Sequence, residues 1–206
     1  MPVALEFQYR ARNSNSSRVA LFPGAYNPPT VAHVAIAQAA LGQAGEVIWV
    51  LPRAFPHKEF AGPGLAPRLE MLRRIAETVP GFSTAVSDGG LYLEIAEEAC
   101  QALGAEAKIE LLCGRDAAER IATWDYGQPG VFDDMVDRFP LLVAGRAGDY
   151  LPAAQHAEKI VHLTMDAAFD EVSSTEVRRR VRCGEPWRHL VPDAIVDTVE
   201  ALYLRP

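Results

Sequence analysis

Two short stretches of this chain bring hydroxyls, a histidine and an arginine together at spacings suited to holding phosphate. The first, GAYNPPTVAH from Gly24 to His33, follows a run of apolar residues. Gly24 and the small Ala25 let backbone amides approach a ligand, Tyr26 and Asn27 follow, and Pro28 and Pro29 stiffen the path into a helix. Thr30 is suited to capping that helix, which sets His33 in its first turn, where unpaired amides and the helix dipole favour an anion. The second stretch, VSSTEVRRRVRCGEP from Val172, spaces Ser173 and Glu176 as a capping box. A helix starting there carries Ser173, Ser174 and Thr175 at its mouth, with Arg178 on the same first turn. Hydroxyls, amides and a guanidinium converging there make a second site for a chain of phosphates. Arg179, Arg180 and Arg182 read as a solvated basic face.

Strands and helices must carry these sites. Short β-rich runs occur at 18–23, 46–51, 82–87, 108–113, 140–144 and 159–164. Helical patterns occupy 31–43, 67–79, 90–103, a stretch near 131–138, 175–183 and 193–204. Strand followed by helix, repeated, predicts an α/β fold with a parallel sheet covered on both faces, forming one Rossmann-like domain over 18–206. Ligands of such sheets gather at the carboxyl ends of the strands, where the first stretch falls. Residues 1–17 read as a polar lead-in and 61–67 as a loop.

Composition narrows the chemistry. A length of 206 residues suits one domain with a full core, and 49% hydrophobic with 23% charged residues describes a soluble globular protein. No run approaches the ~18 apolar residues of a membrane span, and the N-terminus lacks the order of a signal peptide, so no membrane partner is expected and the cytoplasm is. Cys100, Cys113 and Cys183 lie far apart, which suggests neither a disulfide framework nor a zinc site. A net charge of −7 argues against a nucleic-acid partner. Small anionic substrates then need a local positive pocket, and Lys58, Lys108 and Lys159 are the only lysines. The absence of G-x-G-x-x-G after the first strand and of G-x-x-x-x-G-K argues against redox Rossmann and P-loop readings.

The two stretches, in this order and about 140 residues apart, resemble the nucleotidyltransferase superfamily with T/H-x-x-H and S-S-T-x-x-R motifs, and most closely its nicotinate or nicotinamide mononucleotide adenylyltransferases. LPRAFPHKE resembles that family's P-H-K loop, CGRDAAERIATW its G-x-D with a tryptophan beyond, and LVPDAIVDTVEALYL its closing helix. The resemblance implies adenylyl transfer from ATP to a pyridine mononucleotide with release of pyrophosphate, assisted by magnesium held through the ATP phosphates and by no metal site of the protein's own. It implies that His33, with Thr30, Lys58 and Arg178, performs the chemistry. ATP would meet Gly24, Ala25, Tyr26, His33, Gly114, Asp116, Ser173, Ser174, Thr175 and Arg178. The mononucleotide would meet Asn27, Lys58, Trp124, Leu91 and Tyr92. Ala32 replaces a common glycine, and WDYGQPG after Trp124 departs from the family's continuation. GGLYLEIAEEA at 89–99 lacks the S-Y-T sequence that holds a pyridine carboxylate in nicotinate-specific members, although its backbone amides could still do so. Nicotinate mononucleotide is the favoured acceptor and nicotinamide mononucleotide the alternative. A phosphopantetheine adenylyltransferase or a cytidylyltransferase shares both signatures, and a catalytically silent nucleotide-binding module is the reading outside enzymes. The sequence leaves room for a homo-oligomer.

Overall fold

The computed structural model describes residues 4–11, 17–56, 59–145, 148 and 150–204. Seven strands form one sheet: β1 (Glu6–Tyr9), β2 (Arg18–Pro23), β3 (Glu46–Pro52), β4 (Phe82–Ser87), β5 (Lys108–Gly114), β6 (Leu141–Gly145) and β7 (Ile160–Thr164). Seven helices accompany them: α1 (Val31–Leu41), α2 (Leu65–Thr78), α3 (Tyr92–Leu103), α4 (Arg115–Thr123), α5 (Val131–Arg138), α6 (Ser174–Cys183) and α7 (Val196–Tyr203). The strand order is β1-β4-β3-β2-β5-β6-β7, parallel throughout except for β1, which runs antiparallel to β4.

Strand composition explains the layering. β2 to β6 are buried on both faces, as strands sandwiched between helices must be, and all but β4, with its buried Ser83, Thr84 and Ser87, are mainly apolar. In β3, Val47, Trp49 and Leu51 join one core while Ile48 and Val50 join the other. The first core receives Ile36 of α1, Met71 of α2, Val177 of α6 and Val199 of α7. The second receives Ile95 of α3, Ile121 of α4 and Met135 of α5. Among the described residues no helix is long and apolar enough to cross a membrane.

Two elements differ from the sequence reading. Residues 6–9 lie within the expected lead-in yet form β1, whose Glu6 and Phe7 pair with Val86 and Ala85 of β4. Four residues alternating between exposed and half-buried give too short a signal to separate from a polar tail. The helix α4 was absent from the expected pattern. Its buried side chains are Ala118 and Ile121, and alanine marks a helical stripe weakly.

The topology also creates the site. From β2 the chain builds outward through β3 and β4, then returns to place β5 on the other side of β2. Leu21 of β2 pairs with both Ile48 and Leu111. The two directions part between β2 and β5, so a crevice opens at the carboxyl ends of these strands, the usual ligand position in open parallel sheets.

Candidate active site

The turn after β2 is built around Tyr26. Its backbone adopts a left-handed φ of 47°, its ring is 2% exposed, and its hydroxyl donates to the Phe22 carbonyl. A Cβ on Gly24 would stand 2.7 Å from that ring, so the glycine makes room for tyrosine. The Gly24 amide donates to the Val50 carbonyl at 3.1 Å, and the Ala25 carbonyl accepts from Arg68 at 3.0 Å. The Gly24 amide thus closes the turn onto β3, while the residue itself lines the crevice. Burial holds the Tyr26 hydroxyl well above the usual phenol range, so it remains a donor.

Thr30 caps α1 as the sequence predicts. Its Oγ1 accepts from the His33 amide at 3.4 Å, while its own amide donates to His33 Nδ1 at 3.1 Å and its Oγ1 lies 2.7 Å from the same nitrogen. A backbone N–H can only donate, so Nδ1 is the acceptor and the neutral ring carries its proton on Nε2. Thr30 is fully buried, which corrects its expected contact with phosphate. It orients His33 instead.

His33 lines a cavity of about 390 Å³ in the crevice, with Gly24 and Tyr26 from β2 and its turn and Gly114, Asp116 and Arg120 from β5 and α4. Asp116 stands in the first turn of α4, its side chain 72% exposed and 3.4 Å from Arg115. Asp170 lines the same cavity. Among the described residues no three metal-ligating side chains gather. Two carboxylates interspersed with arginines suit a magnesium ion carried in on a triphosphate better than a cage of protein ligands.

A smaller cavity of about 50 Å³ adjoins the first and is lined by Leu91, Tyr92, Trp124 and Tyr126. Trp124 ends α4 and is half-buried. Tyr126 donates to the Ile121 carbonyl at 3.1 Å, and burial pushes its hydroxyl up to about 12. Tyr92 reaches the Pro23 carbonyl at 3.4 Å. Thus Trp124, Leu91 and Tyr92, distant in sequence, come together. The backbone around them is less open than expected. Glu94 Oε2 accepts from the amides of Gly90 and Leu91 at 2.8 and 3.0 Å, and Glu98 Oε1 accepts from Gly89 at 2.6 Å. These donors already serve carboxylates of the chain, because the positive start of α3 attracts the nearest anion, supplied by Glu94 in its own first turn.

At α6, Ser173 caps the helix by accepting from Glu176 at 3.1 Å. Ser174 donates to the Pro28 carbonyl at 2.7 Å, tying α6 to the first turn. These bonds hold both serines at the mouth of α6. Arg178 lies one residue beyond the first turn and folds back, donating to the Asn27 carbonyl and, at 3.2 Å, to Thr175. It lines an opening of about 420 Å³ beside Gly62, Gly64 and Tyr203, and its bond to Asn27 ties that opening to the turn that leads to His33. Asn27, expected at the mononucleotide, has intramolecular partners at both ends of its side chain. Its amide donates to Ala61 at 3.0 Å and its oxygen accepts from Tyr203 at 2.6 Å, which pins loop and C-terminal helix together. Lys58 lies outside the described residues.

The sequence reading missed Arg120 and Asp170 as cavity residues. For Arg120 a signal existed: it falls four residues after Asp116, hence on the same face of a helix once α4 is recognised.

The family model described as cytidylyltransferase-like matches residues 21–180. The probable nicotinate-nucleotide adenylyltransferase of Salinibacter ruber is 33% identical over 194 residues, covering 87% of this chain and 95% of that protein. That of Anaeromyxobacter dehalogenans (strain 2CP-C) is 31% identical over 201 residues, covering 91% and 96%. The structure of Plasmodium falciparum nicotinic acid mononucleotide adenylyltransferase complexed with NaAD superposes with a TM-score of 0.71 over 89% of this chain and 95% of that one, at 14% identity, a likeness of fold. The chain belongs to the cytidylyltransferase-like family, alongside relatives named as probable nicotinate-nucleotide adenylyltransferases.

Proposed function

We propose that this protein transfers the adenylyl group of ATP to nicotinate mononucleotide, releasing pyrophosphate and forming the corresponding dinucleotide. The observation that carries the reading is the pair of adjoining cavities, one holding His33, Gly114 and Asp116, the other walled by Trp124. The names of the relatives support the same reaction. ATP occupies the larger cavity, with its ribose hydroxyls on the Asp116 carboxylate, and the pyridine ring packs on Trp124. An oxygen of the mononucleotide phosphate attacks the α-phosphorus in line. The new O–P bond forms as the bond to the β-phosphate bridging oxygen breaks, and pyrophosphate leaves with that electron pair. His33 donates from Nε2 to an α-phosphate oxygen as charge builds there, and the start of α1 adds its dipole. Thr175 and Arg178 receive the departing pyrophosphate end. Asp116 and Asp170 line the cavity where magnesium brought in with ATP would supply neutralising charge. The free thiols of Cys100, Cys113 and Cys183 fit a cytoplasmic enzyme.

A second acceptor is favoured by one observation. Glu94 already occupies the amides of Gly90 and Leu91, and its negative charge beside the pyridine cavity suits the neutral nicotinamide ring. A pyrophosphate-release assay with ATP or CTP against nicotinate mononucleotide, nicotinamide mononucleotide and phosphopantetheine separates the readings. ATP with nicotinate mononucleotide should give the highest kcat/KM. Preference for nicotinamide mononucleotide would move the acceptor only, whereas preference for CTP or phosphopantetheine would overturn the reaction.

A further inference from the structure

The two cavities share a wall made by Tyr92, Ala117 and Arg120. Tyr92 turns its hydroxyl to the Pro23 carbonyl, and Ala117 is apolar, so Arg120 alone brings a fixed charge to this partition. Its neighbour Arg115 lies within ion-pair distance of both Asp116 and Glu119, the carboxylates of α4. Among the described residues no carboxylate lies within that distance of Arg120. Its Nη2 is 3.5 Å from the Asp116 carbonyl, a long contact that folds the guanidinium back one turn, and the residue lines both cavities. A cation without an anion, at the junction of two ligand cavities, is an arrangement that a ligand completes.

We propose that Arg120 binds the 5′-phosphate of the acceptor mononucleotide and holds it against the α-phosphate of ATP. This rests on the adenylyl-transfer reading above. A mononucleotide with its ring on Trp124 and its phosphate directed at ATP has to cross the wall that Arg120 occupies. The approach joins two anions, and their repulsion is greatest where the attacking oxygen meets the triphosphate. A guanidinium at that point offsets the repulsion and, through its fork of donors, fixes which oxygen faces phosphorus. Arg120 then recognises a group common to both pyridine acceptors and does not choose between them.

The test is steady-state kinetics of the wild type, Arg120→Gln and Arg120→Lys with both mononucleotides, and a titration of each protein with nicotinate mononucleotide alone, followed by tryptophan fluorescence. Arg120→Gln should raise KM for both acceptors by the same factor, about tenfold or more, with a matching rise in the fluorescence Kd. KM for ATP should move less than about twofold, and Arg120→Lys should recover part of the loss. Arg120 is exposed, so the glutamine variant keeps the fold, and matching circular dichroism melts check this. A loss confined to nicotinate mononucleotide would assign the guanidinium to the ring carboxylate, a loss on the ATP side would assign it to the donor, and unchanged kinetics would remove it from the site. Each of these overturns the proposal. If the wild type adenylylates neither mononucleotide, the reaction reading itself falls, and Arg120 as an acceptor residue falls with it. Activity in the wild type with an indifferent Arg120→Gln removes only Arg120.

Discussion

His33 is fixed as a donor by the cap of its own helix. Since the Thr30 amide donates to Nδ1, a ring protonated there would turn one N–H against another, and the neutral ring with its proton on Nε2 is the form that the backbone selects. His33→Ala should therefore lower kcat by roughly 10²-fold or more, as for loss of one oxyanion donor, with a smaller change in ATP affinity. Near-normal kcat would return His33 to a packing role beside Phe22 and Tyr26. Thr30→Ala separates orientation from contact. It removes the cap, costing about 1 kcal/mol, but leaves the Thr30 amide on Nδ1, so melting should drop by a few degrees and kcat should fall far less than in His33→Ala. Equal losses of kcat would mean that the Thr30 hydroxyl itself meets phosphate. The histidine and its cap were legible from spacing alone, because N-cap chemistry is local. That Thr30 is buried was not, since burial depends on residues brought in from elsewhere in the chain.

The helix starts differ in how they use their charges, and α6 shows the contrast most clearly. Arg180 donates to Glu176 at 2.6 Å and to the Pro186 carbonyl at 3.1 Å, and Arg179 is paired with Glu176 and Glu185. Arg178 faces the first turn with no carboxylate within ion-pair distance among the described residues. Arg178→Ala should weaken ATP binding and slow turnover, whereas Arg180→Ala should leave both within about twofold. Equal effects in an ATP titration would show that the phosphates lie on the other face of α6. The same pairs make this element acid-sensitive. Hydrogen bonds from Arg179 and Arg180 lower the Glu176 carboxyl to about 2, and those from Arg73 and Arg74 do the same for Glu70. Depressed folded values stabilise the protein fully above the ordinary carboxylate pKa of about 4.3 and lose that contribution as pH falls toward about 2. Melting temperature should accordingly fall between about pH 4.5 and pH 2, and less so in high salt, because these groups are exposed. In α3 the start is already satisfied by Glu94, a capping pattern present in the sequence but hidden by the expectation of amides open to a ligand. Glu94→Gln should raise kcat/KM for nicotinate relative to nicotinamide mononucleotide, and an unchanged ratio would place the ring away from this helix.

Across the whole molecule, the alternation of strand and helix was legible because central parallel strands are apolar on both faces and stand out as short runs. The order of the strands was not written in any local pattern. It follows from the crossover that brings β5 back beside β2, and this return joins His33 of α1 to Gly114 at the end of β5 and Asp116 at the start of α4. The pyridine wall was legible in its residues, Leu91, Tyr92 and Trp124, but not in its closeness to the nucleotide cavity, which depends on α3 and α4 packing on one face of the sheet. That closeness governs how ATP is protected. In the proposed reaction the attacking atom arrives on the second substrate, whose cavity adjoins that of ATP. Water has no such positioning, and positioned reactants gain several powers of ten over unpositioned ones. With ATP and magnesium alone, pyrophosphate release should thus be slower by at least about 100-fold than with a mononucleotide added. The comparison needs a continuous pyrophosphate assay run with and without acceptor at one enzyme concentration. Similar rates in the two would mean that the crevice orients water, and that the smaller cavity is not where the nucleophile comes from.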